Sequence, residues 1–577
     1  MRRLLICLLA LFAACAVRGA EPPRLDSADY DYPVLHVRGQ HSASFGEMRP
    51  NHFHSGIDIK TDGAEGKPVV AAASGYVSRI VVSPTGYGRA LYLTLDNGYT
   101  AVYGHLSRFR DDLEQFAESE RRRLRRNKVD LSCPPDRFRV CRGDRIAFSG
   151  NTGSSFGPHL HFELRETATQ RTLNLVRQGI ARPEDDMPPV IVRIRYIETD
   201  TVQGVPVHRA PAVCDAVRVD AGTYRLARPT PLPVGANGSF VVEATDRRNG
   251  VTNTFGLYRV TLYVDGEPHY EYRMDGFTFD RSRDCNVAAC YSVQIASRNE
   301  AIRLARVEGA PDFFCPVAVR RGAVGAAEGE RRSLRIEAED DCGNISRLDF
   351  EVVGRAPWHA VRDTLAVRCD RSRTHVLTCP GARAVLPAGA LYESAFLRLR
   401  PSGVRIACDT SLLVLSPAYR FLPCTEPLRK PAEVRIEAYV PEALRPHAVL
   451  AALDRRGRPT CVGGTCSGGG VTARTAVTGD LFVAADTVAP SVRPLFGEGA
   501  DLGAARRMSF RATDDFSGIA SCELRIDGEW VPCDRQPVRG TVTHTFALPR
   551  TGARHTYLLE VRDRCGNAAR RTGTFVR

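Results

Sequence analysis

The sequence has 577 residues, of which 43% are hydrophobic and 25% are charged, a composition that excludes wholesale disorder and a collagen-like fibre. At ~100–200 residues per domain the length indicates about three to five domains, and no apolar run reaches the ~20 residues of a membrane span. The formal net charge is +13. Because the basic residues are spread along the chain, we expect no nucleic-acid partner, and an anionic cell envelope suits this charge at least as well.

The N-terminus has the pattern of a secretory signal. Two arginines precede an apolar run over residues 4–14, which is too short to span a membrane. We predict a signal peptide over residues 1–20, cleaved after Ala16 or Ala20, with lipidation of Cys15 as the alternative. The mature protein is therefore expected to be exported, in the periplasm or cell envelope, with a lipoprotein or a secreted protein as variants of that expectation.

Cysteine usage agrees with export. The chain has 18 cysteines, two of them within the predicted signal. An even number of the remaining cysteines in an exported chain predicts disulfides, although free buried thiols are the alternative and the connectivity stays open. No C-x-x-C spacing of a zinc or redox motif occurs. The cysteines closest in sequence are Cys133 and Cys141, Cys285 and Cys290, Cys461 and Cys466, and Cys522 and Cys533.

The first third of the chain predicts an antiparallel sheet with one helix. Short β-branched, alternating runs are separated by Gly and Asn turns, and they cover residues 68–73, 75–82, 90–95 and 99–103. By contrast, residues 108–127 lack Gly and Pro and are rich in Glu, Arg, Leu and Ala, which predicts a helix. This helix is either a solvated insertion in a loop or a lid or anion-binding arm near an active site.

An acidic, Pro-rich stretch near residues 181–189 marks a domain boundary, after which short alternating runs predict β-sandwiches. Within residues 240–267, a run that ends in A-T-D and a later L-Y-V-D-G-E recur in the same order within residues 510–529, as A-T-D and L-R-I-D-G-E. The turn Asp340–Asn344 likewise matches Asp563–Asn567. We therefore predict two copies of an Ig-like β-sandwich and a third β-rich unit between them. The predicted bounds are 187–354, with an insertion near 276–330, then 355–485, then 486–577.

Three motifs in the first third concentrate histidines. They are H-S-G-I-D at 54–58, Y-G-H-L-S at 103–107, and S-G-N-T-G at 149–153 leading to G-P-H-L-H-F-E at 157–163. Each motif is weak alone, because a single His is more often a core or surface residue. The Gly-rich stretch lacks a following G-K-[S/T], so a nucleotide site is not predicted.

Together the motifs predict a metal site. In a strand, His159 and His161 point to the same face. His54 and Asp58 add a nitrogen and an oxygen ligand, and two histidines with one carboxylate and a free fourth position is an arrangement of catalytic zinc. Two histidines remain in the set, His105 and His159, which could act as general base and as donor to the transition state.

The set resembles the LytM/lysostaphin-type zinc endopeptidases that cut peptidoglycan peptides. The resemblance covers residues 34–182 and includes P-V-V-A-A-A-S-G-Y-V at 68–77. It implies one zinc ion bound by His54, Asp58 and His161, with His105 and His159 as catalytic residues. The same ligands would accept cobalt or nickel in vitro. Residues 108–138 form an insertion relative to the plain domain. A peptidase followed by β-sandwiches resembles exported proteins of the Bacteroidota.

The expected fold is therefore mainly β, with an N-terminal LytM-type peptidase domain and Ig-like β-sandwiches after it. The expected function is hydrolysis of peptide cross-links in peptidoglycan, with stem peptides as substrate and envelope proteins as partners of the sandwiches. The alternatives are a non-catalytic activator of wall hydrolases, whose relatives typically lose metal ligands, and a secreted protease for protein substrates. A pure adhesion protein leaves the histidines unexplained.

Overall fold

The structure, a computed structural model, describes residues 24–577 except 298, 362, 408–411, 424 and 547–550. The predicted signal peptide and Cys15 lie outside these residues. The chain is mainly β, as predicted, and in its described part only the helix Asp111–Leu124 is longer than six residues. No described helix has the length and apolar character to cross a membrane. The short helical segments are Ser27–Asp29, Phe279–Asp284, Cys285–Ala288, Tyr291–Gln294, Val319–Gly322 and Glu442–His447.

An antiparallel sheet forms the N-terminal unit, and within it the strand His159–Glu166 pairs with Ile57–Lys60 on one side and with Tyr99–Leu106 on the other. Buried Val, Ile, Leu and Tyr side chains from one face of this sheet build the core of the unit. In spatial order the main strands are His41–Ala43, Ile57–Lys60, His159–Glu166, Tyr99–Leu106, Arg89–Leu95, Gly75–Val82 and Val129–Ser132. Shorter strands are Met48–Arg49, His52–Phe53, Pro68–Val70, Arg108–Phe109, Arg139–Val140, Arg145–Phe148 and Thr172–Leu173.

The predicted helix is present but shorter than residues 108–127. It begins at Asp111, because Arg108 and Phe109 pair as a short strand with Ala147 and Phe148. It ends at Leu124, because Arg125 adopts a left-handed conformation with φ 49°. One face of the helix, with Leu113, Ala117 and Arg121, is buried, so the helix is not a solvated insertion.

The second unit is a twelve-stranded sheet that folds over its own core, where Phe240 and Phe350 pack at 5.5 Å between ring centroids. In spatial order its main path is Glu300–Arg303, Gly238–Thr245, Val190–Val202, Ala212–Asp220, Thr223–Leu226, Ile345–Gly354, Arg331–Glu339, Arg259–Val264, Glu267–Arg273 and Val317–Ala318, with Val205–His208 and Leu232–Val234 beside it. Gly276–Phe277 pairs with Thr172–Leu173 of the first unit.

The third unit contains separate sheets around a main core and a smaller apolar cluster, and the fourth contains two sheets around one core. Strands of the third unit are Val367–Cys369, His375–Cys379, Ala382–Leu386, Ala395–Leu397, Leu399–Pro401, Leu412–Val414, Tyr419–Phe421, Ala432–Glu437, Ala448–Leu453, Pro459–Gly463, Thr465–Cys466, Gly470–Thr475 and Gly479–Asp486. Strands of the fourth unit are Ser491–Pro494, Ala500–Asp501, Arg507–Thr513, Ile519–Ile526, Glu529–Val531, Asp534–Gln536, Thr541–Thr545, Arg554–Asp563 and Ala568–Val576.

The internal repeat corresponds to matching hairpins in the second and fourth units. Asp265-Gly266 and Asp527-Gly528 both have positive φ, from 50° to 87°, which is the backbone of a type I′ hairpin turn. A second hairpin in each unit turns through Asp340–Asn344 or Asp563–Asn567, where the leading aspartate accepts backbone N–H groups of its own turn. The domain bounds themselves stay a prediction.

Disulfides are not confirmed. All fourteen cysteines among the described residues are free thiols. Among them, Cys522 lies within the strand Ile519–Ile526, and Cys533 follows its partner strand Glu529–Val531. The other cysteines closest in sequence are likewise unbonded within the described ranges.

The first and second units share buried contacts and are not independent bodies. Phe45, Met48 and Phe53 come from the first unit but belong to the hydrophobic core of the second. The backbone N–H groups of Met48 and Leu257 both donate to the buried carboxylate of Glu300, at 2.7 and 3.0 Å. The hairpin that leads into the first histidine motif is therefore fixed by the second unit.

The fourth unit docks on the helix of the first through buried charges. Arg121 and Arg89, 2% and 5% exposed at their side chains, both pair with Asp534, at 2.7 and 3.3 Å. Asn127, just beyond the helix, bonds the backbone of Cys522 and of Cys533 at 2.8 and 2.9 Å. The helix thus holds the last unit of the chain against the first.

Replacing Asp534 with alanine should weaken this docking by about 1–3 kcal/mol. Two buried guanidiniums would lose a partner, although the partly exposed carboxylate and the remaining carboxylate partners of the arginines reduce the loss. The weakened docking should appear as faster amide hydrogen exchange in the strands Arg507–Thr513 and Asp534–Gln536 of the variant. The exposed neighbour Asp515, replaced by alanine, is the control and should change stability by less than about 0.5 kcal/mol. Equal exchange in both variants would contradict the assigned role of the cluster.

Candidate active site

Strand register brings the three predicted metal ligands together. In the central sheet His161 lies opposite Asp58 on one neighbour and opposite Gly104 on the other. His54 lies in the short loop just before the strand that contains Asp58. Its Nε2 is 3.1 Å from Asp58 Oδ1 and 3.1 Å from His161 Nδ1. The His161 Nδ1 to Asp58 Oδ1 distance is 2.8 Å. All three side chains are buried.

The outer nitrogen of each ligand histidine is fixed by a hydrogen bond. His54 Nδ1 donates to the carbonyl of Ser44 at 2.7 Å, and His161 Nε2 donates to Glu163 Oε1 at 2.7 Å. These bonds set the tautomers and leave His54 Nε2 and His161 Nδ1 as the free lone pairs. Such partners are typical of metal-ligating histidines.

The donor set fits a zinc ion. Tetrahedral ligands about 2.0–2.1 Å from zinc lie little more than about 3 Å apart, close to the separations of these three atoms. Two imidazole nitrogens and one carboxylate oxygen are donors that zinc prefers. The second oxygen of Asp58 accepts from the Arg49 guanidinium at 3.1 Å, which orients the carboxylate.

His105 lies beside the metal ligands in a fixed orientation. Its Nδ1 donates to the carbonyl of Thr152 at 2.8 Å, so Nε2 carries the free lone pair. Its ring centroid is 5.9 Å from that of His161 and 4.7 Å from that of His159. Its backbone is left-handed, with φ 59°. Burial, and then the neighbouring His159 and His161, lower the pKa of His105 to about 3, so this imidazole is neutral.

His159 faces the same space from the other side. Its Nδ1 donates to the carbonyl of Gly157 at 2.8 Å. Its buried Nε2 has no hydrogen-bond partner among the described residues and lies 3.5 Å from Asp58 Oδ1. The structure therefore brings all five predicted site residues together, with Nδ1 of both His105 and His159 bonded to backbone carbonyls.

Sequence reasoning missed a buried carboxylate centre behind the ligands. Glu163 accepts from His161, from Ser55 at 2.6 Å, from Tyr87 at 2.5 Å and from Arg165 at 2.7 Å. Burial alone would raise the pKa of Glu163, but the Arg165 charge and these hydrogen bonds lower it to about 2. The H-x-H-F-E pattern did contain the signal, since Glu163 shares a strand face with His161.

Tyr87 adds a second feature that the sequence did not reveal. Its ring stacks on His161, with centroids 4.9 Å apart, and its backbone carbonyl accepts the N–H of His105 at 2.7 Å. It lies in the turn before the strand Arg89–Leu95, outside the three motifs. Only the sheet order places this turn beside both histidines.

Two motif glycines are required by close packing. A Cβ on Gly56 would lie 2.2 Å from the carbonyl oxygen of Phe162, and a Cβ on Gly104 would lie 3.2 Å from the Cβ of His161. Both glycines therefore allow the strands that carry Asp58, His161 and His105 to approach one another.

The second unit supports the His54 loop. Ser44, whose carbonyl holds His54, accepts the N–H of Gly256 on its own Oγ at 3.1 Å. Phe53 donates its N–H to Ser282 at 3.2 Å, and its ring packs 5.4 Å from Phe277. The position of one metal ligand thus depends on residues more than a hundred positions away in sequence.

Comparison with known proteins agrees with this geometry. A model of peptidase family M23 matches residues 52–119, a stretch that contains His54, Asp58 and His105. An uncharacterized metalloprotease of Haemophilus influenzae is 30% identical over 156 residues, which cover 26% of this chain and 27% of that protein. The DD-carboxypeptidase/endopeptidase Mpg of Neisseria meningitidis serogroup B is 32% identical over 132 residues, which cover 23% of this chain and 24% of that protein.

The similarity is thus confined to about a quarter of the length of these relatives. Among solved structures, the catalytic domain of lysostaphin from Staphylococcus simulans is 25% identical and covers 22% of this chain and 79% of its own, with a TM-score of 0.16. A zinc-containing peptidase from Vibrio cholerae is 25% identical and covers 25% of this chain and 36% of its own, with a TM-score of 0.18. The chain carries, near its N-terminus, a peptidase family M23 domain with an intact His54, Asp58 and His161 candidate metal site.

Proposed function

We propose that this protein is a zinc-dependent endopeptidase that hydrolyses peptide cross-links of peptidoglycan in the cell envelope. The observation that carries the proposal is the convergence of His54 Nε2, Asp58 Oδ1 and His161 Nδ1 within 2.8–3.1 Å of one another. The outer nitrogens are already bonded to Ser44 and Glu163, so the site is prepared for a metal and not for a purely structural hydrogen-bond network.

The histidines beside the ligands supply the proton chemistry. The chemistry that a bound zinc ion supplies at a site of this kind is polarisation of a carbonyl and activation of water. His105 and His159 each donate Nδ1–H to a backbone carbonyl, which leaves Nε2 of each ring for proton chemistry. In the proposed mechanism one of them takes the proton from the attacking water and returns it to the leaving amine, and the other, which carries on Nε2 a proton taken from solvent, donates a hydrogen bond to the tetrahedral oxyanion.

The substrate class is supported by a basic cleft beside the site. A cavity of about 780 Å³ opens between the fourth unit and the end of the helix. Thr152, whose carbonyl holds His105, lines it together with basic residues that form no ion pair in the described part of the chain. These are Arg125, Arg126, Lys128, Arg507 and Arg535. Stem peptides of peptidoglycan carry free carboxylates, which such a cleft would attract.

The bond and the location follow from the same proposal. The Mpg relative is named a DD-carboxypeptidase/endopeptidase, and we propose a D,D-endopeptidase acting on a diaminopimelate-type stem. The protein would act after export, in the periplasm or envelope. We propose that the Ig-like units, bounded at 187–354 and 486–577, and the unit between them also dock envelope proteins.

A non-catalytic activator of wall hydrolases is the second candidate. It is disfavoured because the three ligands, both flanking histidines and their supporting bonds are all present. A protease for secreted protein substrates would use the same chemistry. The basic cleft favours the carboxylate-rich wall peptide over it.

Digestion of purified peptidoglycan by the mature protein tests the proposal. We expect loss of cross-linked dimers in mass spectra of the released muropeptides, with one zinc per chain by elemental analysis. His161→Ala should lose zinc and activity together, because the donor set falls to two. His208→Ala, in the second unit, is the matched control and should keep both. If the protein binds one equivalent of zinc but cleaves no peptidoglycan, the proposed substrate is wrong. If it binds no zinc, the proposed zinc-dependent activity is wrong.

A different result is expected for the flanking histidine. His159→Ala should keep zinc but lower kcat about 10²–10⁴-fold, since it removes a proton carrier and not a ligand. Zinc analysis and muropeptide release measured on the same preparation separate the two roles. Loss of zinc in His159→Ala would instead make His159 a ligand.

The cleft makes a prediction about binding. Arg535→Ala should raise KM about three- to tenfold with little change in kcat, the effect of ~1 kcal/mol of charge attraction. The difference should vanish on a substrate whose free stem carboxylates are amidated. Arg493→Ala, exposed in the same unit outside the cleft, is the control. An equal KM for Arg535→Ala and wild type on the free-acid substrate would show that the cleft does not bind the stem.

A further inference from the structure

Three aspartates meet where the third unit passes into the fourth. Asp486 ends the strand Gly479–Asp486, Asp514 follows the strand Arg507–Thr513, and Asp563 ends the strand Arg554–Asp563. One carboxylate oxygen of each lies within 4.8 Å of those of the other two. Asp486 and Asp563 are only 2% and 3% exposed. Three carboxylates are thus gathered in a largely buried place.

Backbone amides and one side-chain amide surround this cluster, and no ion pair to the three aspartates occurs among the described residues. Asp563 accepts from the backbone of Cys565 and from both the backbone and the side chain of Asn567, at 2.7–2.9 Å. Asp514 Oδ2 accepts from the backbone of Gly518 at 2.6 Å. These bonds orient the carboxylates but leave three charges without a cation.

One oxygen of the cluster is unsatisfied. Asp486 Oδ1 accepts the N–H of Val488 at 3.2 Å, whereas its buried Oδ2 has no hydrogen-bond partner in the described part of the chain. A buried carboxylate oxygen without a hydrogen-bond donor destabilises the fold. The repulsion between the carboxylates adds to this cost, so the arrangement calls for a cation.

The second unit repeats the arrangement. Asp185 precedes its first strand as Asp486 precedes Ser491–Pro494, Asp246 follows Gly238–Thr245, and Asp340 occupies the turn position of Asp563. Asp246 is fully buried, and neither of its carboxylate oxygens has a hydrogen-bond partner among the described residues. Burial and the neighbouring Asp340 and Asp185 raise the pKa of Asp246 to about 9.

The two copies differ in their surroundings. In the second unit a buried arginine, Arg248, pairs with Asp341 at 2.5 Å, and Cys342 lies near Asp185 and Asp340. The copy at the start of the fourth unit has only oxygen donors in its group. Its chemistry is therefore the clearer of the two.

We propose that Asp486, Asp514 and Asp563 bind a divalent cation of the calcium class. All-oxygen donors with three carboxylates suit a hard cation, and calcium accepts irregular geometry more readily than magnesium does. Zinc is disfavoured, because the group offers it no nitrogen or sulfur ligand. The site is separate from the His54, Asp58 and His161 group in both location and donor type.

The cation would fix the last unit of the chain. Asp486 belongs to the final strand of the third unit, whereas Asp514 and Asp563 belong to the fourth. The Asn567 side chain already bridges them by donating to the carbonyl of Asp486 at 2.9 Å. A bound ion would hold the angle between these units and so the position from which Asp534 reaches the N-terminal domain.

Calorimetric titration of the full mature protein with CaCl₂, after passage through a chelating resin and reloading with one equivalent of zinc, tests the site. We expect binding with a Kd of about 10⁻⁴–10⁻³ M or tighter and a rise of Tm with calcium. Asp514→Asn should bind one equivalent fewer, while keeping the acceptor for Gly518. Asp486→Asn should behave in the same way, and the exposed Asp515→Asn should match wild type.

The outcomes are separable from those of the peptidase. Circular dichroism checks that each variant is folded, and zinc content should stay at one equivalent in all of them. Wild-type protein that shows neither heat nor a Tm change up to ~10 mM calcium, above the weakest range of calcium modules, would overturn the proposal. So would equal calcium stoichiometry in wild type and both Asn variants.

Discussion

The antiparallel pairing of the strand His159–Glu166 with the strand Ile57–Lys60 is the contact on which the candidate site depends. Its register sets His161 opposite Asp58, and a shift by one residue would turn every ligand on the strand to the opposite face. Gly56 and Gly104 allow the neighbouring strands to come close enough. Glu163 and Tyr87 both contact His161 and keep its side chain in this alignment.

Contacts beyond the N-terminal domain complete the alignment. The hairpin before His54 is packed into the hydrophobic core of the second unit, and Glu300 satisfies its backbone within that core. The helix Asp111–Leu124 provides a second attachment, where Arg89 and Arg121 are buried against Asp534 of the fourth unit. Burying two guanidiniums is costly unless each is paired, and Asp534 adds a third carboxylate to Glu114 and Glu118, which pair with these arginines within the first unit.

This arrangement gives the β-rich units a role that fold class alone would not assign. They build one wall of a basic cleft beside His105, and they anchor the loop of a metal ligand. The aspartate groups lie where the chain enters the second and fourth units, so they lie between each of these units and the one before it.

Much of this could be predicted from sequence because the information is local. Spacing on a strand places His159 and His161 on one face, and alternating β-branched runs predict the mainly β fold and the strands near residues 75–82 and 90–95. The repeated Asp-Gly turns predict matching hairpins, since only a few residues tolerate positive φ. The prediction of His54, Asp58 and His161 as metal ligands followed from the strand periodicity and from the motif resemblance.

What the sequence could not determine depends on contacts between distant segments. The role of Tyr87 requires the sheet order, and the burial of Arg121 requires a partner, Asp534, that lies more than four hundred residues later in the chain. Leu113 and Ala117 of the helix pack on the core of its own unit, whereas its polar end is buried because Arg121 pairs with Asp534 of the fourth unit. The sequence by itself determined the chemistry that the chain can carry out, whereas the tertiary structure decided which side chains hold that chemistry in place, because burial and pairing are properties of neighbours in space.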